Sequence, residues 1–136
     1  MSASAELQKL IYDTLRAKPE IMGLVGGVYD RVPTEPFGAK TAYVSFGPSD
    51  VVDDGADCIR SGIHTFQIDV WSKAVGQVEA KQIVDLMHRA LHDRDFDLAE
   101  NALVSTRVGL RRVFLDADGL TTHGVVSVTV SIEEVE

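Results

Sequence analysis

The sequence is nearly without cysteine. Its single Cys58 excludes an internal disulfide framework and a Cys-rich zinc site. Basic residues are also scarce: 13 Lys and Arg stand against 21 Asp and Glu, a formal net charge of -8. That balance argues against holding nucleic acid by phosphate neutralisation, which needs clustered cations. It remains compatible with a surface that DNA slides past without sticking. No apolar run approaches the roughly 20 residues needed to span a bilayer. The first ten residues, MSASAELQKL, lack a basic segment followed by an apolar one, so a signal peptide is not expected and folding in the cytoplasm is. Catalytic signatures are missing as well. No serine sits in a GxSxG setting, Gly23 to Gly27 lacks the GK[ST] ending of a phosphate loop, and Cys58 has no convincing base nearby.

What the sequence does contain is enough apolar material for one core. It has 136 residues, 45% of them hydrophobic, which fits one folded domain over residues 1–136. The clearest signal is Gly62 to His92. His64, Phe66, Ile68 and Val70 alternate with Thr65, Gln67 and Asp69, so Ile63–Trp71 reads as a strand with one apolar face. The period then changes. Val75, Val78, Ile83, Leu86, Met87, Ala90 and Leu91 recur at helical spacing, with Ser72 placed to cap the helix. A strand that hands over so quickly to a helix packs helix on sheet.

The remaining chain adds to that pair. Ser4–Ala17 reads as an amphipathic helix with Leu7, Leu10, Ile11, Thr14 and Leu15 on one face and Ser4 as its cap, ended before Pro19. A helical turn is expected at Glu20–Leu24, a turn at Gly26-Gly27 and a short strand at Val28–Arg31. Pro33 and Pro36 bracket an irregular loop, and Thr41–Phe46 reads as a strand closed by Gly47-Pro48. Ser49–Ser61 carries Asp50, Asp53, Asp54 and Asp57 and little that packs, so a mobile loop or hairpin tip is expected there. Leu103–Leu115 reads as a strand in which Val104, Thr106, Val108 and Leu110 share a face, with a bulge near Arg111-Arg112 restoring Val113 and Leu115 to it. Asp118-Gly119 signals a hairpin turn, and Thr122–Val135 is the last strand, with Val126, Val128, Val130 and Ile132 inward. The expected fold is α+β: a largely antiparallel sheet of about four strands with two helices packed on one face. Its other face, with Val125, Leu103 and Trp71 on or near it, is half apolar and expected to meet a partner.

The 4 histidines invite a metal or acid–base reading. His88 and His92 stand four residues apart, a spacing that can serve one metal, with Asp85 or Asp93 as a third ligand, but no HExxH accompanies them; a solvated helix end is the better expectation. His64 is expected in the core or at a sheet edge with one hydrogen bond, and His123 points to nothing specific. The aspartate segment has the wrong spacing and no terminal Glu for a calcium loop. No catalytic residue, cofactor or metal is expected, and the enzyme reading, a metal-dependent hydrolase, has little support.

The order of these signals carries a resemblance. AELQKLIYDTL, then GGVYDRVP at Gly26–Pro33, TAYVSFG at Thr41–Gly47, the His64–Asp93 run and DADGLTTHGVVSVTVSIEE at Asp116–Glu134 follow one another through nearly the whole chain. Its most telling part is H-x-x-x-x-D-V-W-S followed by G-x-x-E-A, His64–Ala80. Together they resemble the small tail-completion or tail-terminator proteins of long-tailed phages and gene transfer agents. The resemblance implies a structural virion protein and not an enzyme: a ring, a hexamer in the particle, at the head-proximal end of the tail tube. It implies as partners the major tail tube protein and the head-completion or stopper connector protein, with DNA passing through unbound and no membrane. The implied location is the head–tail junction of a virion assembled in the bacterial cytoplasm. A monomeric isolated chain stays open, as does a neighbouring head-completion adaptor role in the same particle. Exposure and charge nominate Asp50, Asp53, Asp54, Asp57, Arg60, Arg111 and Arg112 as interface residues, and the Asp50–Asp57 segment is expected to be ordered by neighbours in the ring.

Overall fold

A computed structural model describes residues 2–53, 55 and 60–134. The helices are α1 (Ala3–Arg16), α2 (Pro19–Met22) and α3 (Val78–Leu91); the strands are β1 (Val25–Tyr29), β2 (Ala42–Asp53), β3 (Ser61–Ser72), β4 (Ala102–Leu115) and β5 (Thr122–Glu133). The strands form one sheet in the order β1-β2-β3-β5-β4. Only the β1–β2 pair is parallel. The α+β class therefore holds, with five strands where about four were expected and three helices where two were. α2 and β1 are the helical turn expected at Glu20–Leu24 and the short strand expected at Val28–Arg31, each lying slightly earlier in the chain than expected.

The core forms where the alternating strands meet the helical stripes. Phe66, Ile68 and Val70 of β3 and Val126, Val128, Val130 and Ile132 of β5 are buried on one sheet face. Leu7, Ile11 and Leu15 of α1 and Ala80, Ile83, Val84, Met87 and Leu91 of α3 cover them. Helix α3 lies over β3, β4 and β5, while α1 lies over β1 and against α3. α1 starts one residue before the expected Ser4, with Ser2 as cap: its Oγ accepts from the Ala5 N–H at 3.2 Å.

Several expected boundaries move, each for a local reason. Ser72 does not cap a helix. It ends β3, accepts from the Ala74 N–H and donates to Glu79 Oε1 at 2.8 Å, so α3 begins only at Val78 and Val75 is fully exposed. Gly26 and Gly27 make no turn but lie inside β1, where the Pro36–Phe37 backbone passes too close to Gly26 for any side chain. Gly47-Pro48 does not close β2. The strand absorbs the pair in a register shift between Phe46 and Ser49 and continues paired with β3 as far as Asp53↔Gly62. Asp50 and Asp53 thus lie in a paired strand and not in a loop, whereas Asp54, Asp57 and Cys58 fall outside the described residues.

In β4 the irregularities lie at Leu103/Ser105 and Val108/Leu110, ahead of the expected Arg111-Arg112. The shift turns Leu110 outward opposite Ser127 and returns Val113 to the helix-facing side opposite Gly124. Leu103, opposite Ile132, also lies on the helix side, so it does not contribute to the open face. The β4–β5 turn is as expected: Gly119 has φ 72, and the Asp118 carboxylate accepts from the Leu120 and Thr121 amides at 2.8 Å. Those bonds hold the Asp118 carboxyl below the usual range.

Two buried polar groups shape the fold. Glu6 of α1 accepts from the Glu100 N–H at 2.9 Å and from the Asn101 N–H and Nδ2 at 3.1 Å, fixing the chain that leads into β4. Burial alone would raise its carboxyl, but the Asn101 side chain and the Glu100 and Asn101 amides together hold it below the usual value. His64, on the apolar face of β3, is 1% exposed. Contrary to the expected single hydrogen bond, neither ring nitrogen has a partner among the described residues, and Glu134 Oε1 stands 3.6 Å from Nε2.

Burial pushes His64 below its ordinary value of 6.5, and Glu134 only partly opposes this. The unfolded chain therefore binds a proton more readily than the native one. The stability His64 allows is fully present above that ordinary value and is lost as pH falls from it towards the lowered native value. Substitution His64→Leu is expected to flatten this mildly acidic part of a melting-temperature profile. A variant whose melting temperature falls as steeply as the wild type's below pH 6.5 would rule out His64 as the source.

Candidate interaction surface

The helices cover one face of the sheet and leave the other open. Because β2, β3, β5 and β4 are in register, one transverse row of that open face aligns Tyr43, Trp71, His123 and Phe114. The rings touch in sequence. Phe37, from the loop before β2, meets Tyr43 edge-on at 4.9 Å; Tyr43 and Trp71 are 6.4 Å apart; Trp71 stacks on His123 at 3.9 Å; Phe114 lies 4.9 Å from His123. A cation lies at each end of the row, Lys73 Nζ 4.5 Å from the Phe37 centroid and the Arg112 guanidinium 5.2 Å from that of Phe114.

Polar bonds lock the row in place. Trp71 Nε1 donates to Ser45 Oγ at 3.0 Å. Asp69, in the next row, is buried; its Oδ1 accepts from Gln67 Nε2 at 2.9 Å and lies 2.7 Å from His123 Nε2. Burial first, and the Asp69 charge second, raise the Tyr43 hydroxyl above its ordinary value, keeping it a neutral donor. His123, which had suggested nothing specific, thus joins an aromatic stack to a carboxylate. The side-chain parity of each strand was legible in the sequence; the row was not, because it depends on four registers at once.

The nominated interface residues do not form one patch. Asp50 faces outward opposite Thr65, and Asp53 lies opposite Gly62, both exposed on the hairpin arm where β2 runs on beyond its pairing with β1. Arg60 is exposed on the returning side and its carbonyl accepts from the Glu134 N–H at 2.7 Å. A cleft of about 390 Å³ beside the arm is lined by Val51, Asp53, Arg60 and Glu134. The strand pleat separates the arginine pair. Arg111 turns to the helix side and bonds Asp85 Oδ1 at 3.1 Å, while Arg112 lies on the open face opposite Val125.

The candidate metal ligands are committed elsewhere. The His88 and His92 rings stack at 4.7 Å. His92 Nδ1 accepts from the Val108 N–H at 2.9 Å, and the Asp93 N–H donates to the Thr106 carbonyl. This turn secures the edge strand β4 at its bulge, so His92 is no solvated helix end. Burial first, then the Arg111 guanidinium and the His92 ring, hold His88 below its ordinary value. Among the described residues no group of three His, Cys, Asp or Glu side chains is placed to hold a metal ion, and no helix is long and apolar enough to cross a membrane.

Residues 9–133 match the family model described as tail completion protein gp17. Curated protein sequences give no match. Among solved structures, a chain in the virion of a native gene transfer agent particle is 28% identical with a TM-score of 0.83, and the match covers 96% of this chain and 98% of that one. The gp17 protein of bacteriophage SPP1 is 23% identical with a TM-score of 0.61, covering 94% of this chain and 89% of that one, a likeness of fold alone.

Proposed function

The chain belongs to the tail completion protein gp17 family, and from that premise we propose that it forms a ring, a hexamer in the particle, on the head-proximal end of a phage-like tail tube and joins the tail to the head connector. Its role as a tail-completion protein is structural. The observation that carries the finer reading is the full-length likeness to a chain of the gene transfer agent virion. In this reading its partners are the major tail tube protein on one side and the head-completion or stopper protein on the other, and it performs no catalytic step. It acts at the head–tail junction, on particles assembled in the bacterial cytoplasm. A terminator must match a tube end on one surface and refuse another tube ring on the opposite one. The net charge of -8 suits a channel through which DNA passes without binding.

Deletion of the gene followed by imaging of the lysate tests this. Overlong or headless tails, corrected by adding the pure protein back, are the expected result. Tails of normal length joined to filled heads would overturn the termination role. Normal tails beside heads that fail to retain DNA would move the chain to the head-completion side of the junction.

A further inference from the structure

Resting on the ring reading, we propose that neighbouring copies of this chain meet head to tail, the β2–β3 hairpin arm of one copy, Asp50–Asp53, seating on the aromatic row of the next. The ground is the polarity of the open sheet along its strands. At the arm end, Asp50 and Glu133 face outward with Asp53 and Glu134 beside them, four carboxylates against two described cations, Arg60 and Arg107, the latter in the same transverse row as Asp50. At the opposite end Lys73 and Arg112 lie flat on Phe37 and Phe114, while the buried Asp69 is already bonded to Gln67 and His123. Asp118, in the adjacent turn, is engaged by its own backbone amides. Carboxylates thus predominate at the arm end, while the aromatic end, which also holds Asp116, sets two cations directly on its rings. A two-fold contact would set acidic arm on acidic arm, whereas a head-to-tail contact pairs the carboxylate-rich arm with the cations of the aromatic row and uses both ends of every copy, as a closed ring requires.

The apolar chemistry matches too. Val51 and Val52 on the arm are 49% and 60% exposed between the two aspartates. Val52 shares the outward face with Asp50 while Val51 turns to the helix side, and the Val52 side chain suits the half-buried Tyr43–Trp71–Phe114 surface, where desolvation of aromatic area would supply the attraction. The contact is made by side chains and not by strand addition. Although β1 pairs with β2 only as far as Ser45, Pro48 and the arm aspartates guard the edge beyond it against strand pairing.

The test uses the full chain carrying Cys58→Ser, with Val52→Cys in one preparation and Arg112→Cys in another. Mixed and assembled, alone or on tail tubes, and then oxidised, they are expected to give a disulfide between the two variants and none within either alone. Arg112→Glu is expected to raise the dissociation constant of the subunit contact about tenfold, and adding Asp50→Arg to restore it, as read by native mass spectrometry. Rings of normal mass without the mixed disulfide, or a disulfide within the Val52→Cys preparation alone, overturn the contact while the ring reading survives. Absence of any assembly, with or without tubes, overturns both.

Discussion

Substitution Phe66→Ala is expected to cost about 3–5 kcal/mol of folding stability. Phe66 is the bulkiest of the fully buried side chains, 2% exposed, on the strand bonded to β2 on one side and β5 on the other. It pairs with Val128 and lies in the common core among strand and helix residues held by their own ladders. Both the lost transfer free energy and the cavity term therefore apply in full. Against a total of about 5–15 kcal/mol for a domain of this kind, the variant stands near unfolding at physiological temperature. Chemical denaturation followed by the fluorescence of the single tryptophan, Trp71, measures it. The midpoint falls while the denaturant slope is retained. Val52→Ala, on the exposed arm, is the control, with an expected change within about 0.5 kcal/mol. A Phe66→Ala loss below about 1 kcal/mol would mean that this core repacks far more freely than the burial of its side chains implies.

The second large effect is expected at Gly26. A β-carbon there would lie within 2.5 Å of the Pro36 carbonyl oxygen and closer still to the Phe37 carbonyl. These are backbone atoms, so no rotamer change relieves the overlap and the segment itself must move. Overpacking of this kind costs about 1–3 kcal/mol. The displaced residue is informative: Phe37 begins the aromatic row and lies under Lys73. Gly26→Ala is therefore expected to lower the unfolding midpoint and also to change the emission of Trp71, two rings further along. Gly76→Ala makes a useful contrast. Its β-carbon has open space, and the penalty there comes only from its φ of 80. Gly26→Ala with unaltered stability and emission would show that the Pro36–Phe37 segment does not rest on β1.

Both expectations depend on distinctions that the sequence makes unevenly. The inward parity of Phe66, Ile68 and Val70 and of Val126 to Ile132, and the stripe from Ile83 to Leu91, were readable because burial acts on every second residue of a strand and every third or fourth of a helix. The α+β class followed from them. Gly26-Gly27 was misread as a turn because glycine carries two opposite meanings, conformational freedom and lack of bulk; only the position of a segment ten residues away chooses between them. The Gly47-Pro48 pair was misread as a strand end because its local signal is that of a break, whereas continuous pairing with β3 carries the strand through it. The bulge in β4 was expected from the change of parity but misplaced, since parity constrains the number of extra residues more tightly than their location.

The sequence by itself determined the apolar faces, the acidity and the order of elements that marks the family, because these are properties of residues and their spacing along the chain. The tertiary structure decided which residues stand beside one another on the open face. Strand order and register bring Tyr43, Trp71, His123 and Phe114 into one row from four strands, place Asp69 against His123, and turn Arg111 and Arg112 to opposite sides. Each of those neighbours is set by hydrogen-bond ladders between segments far apart in the chain, and a shift of one residue in any ladder would turn that strand's side chains to the other face.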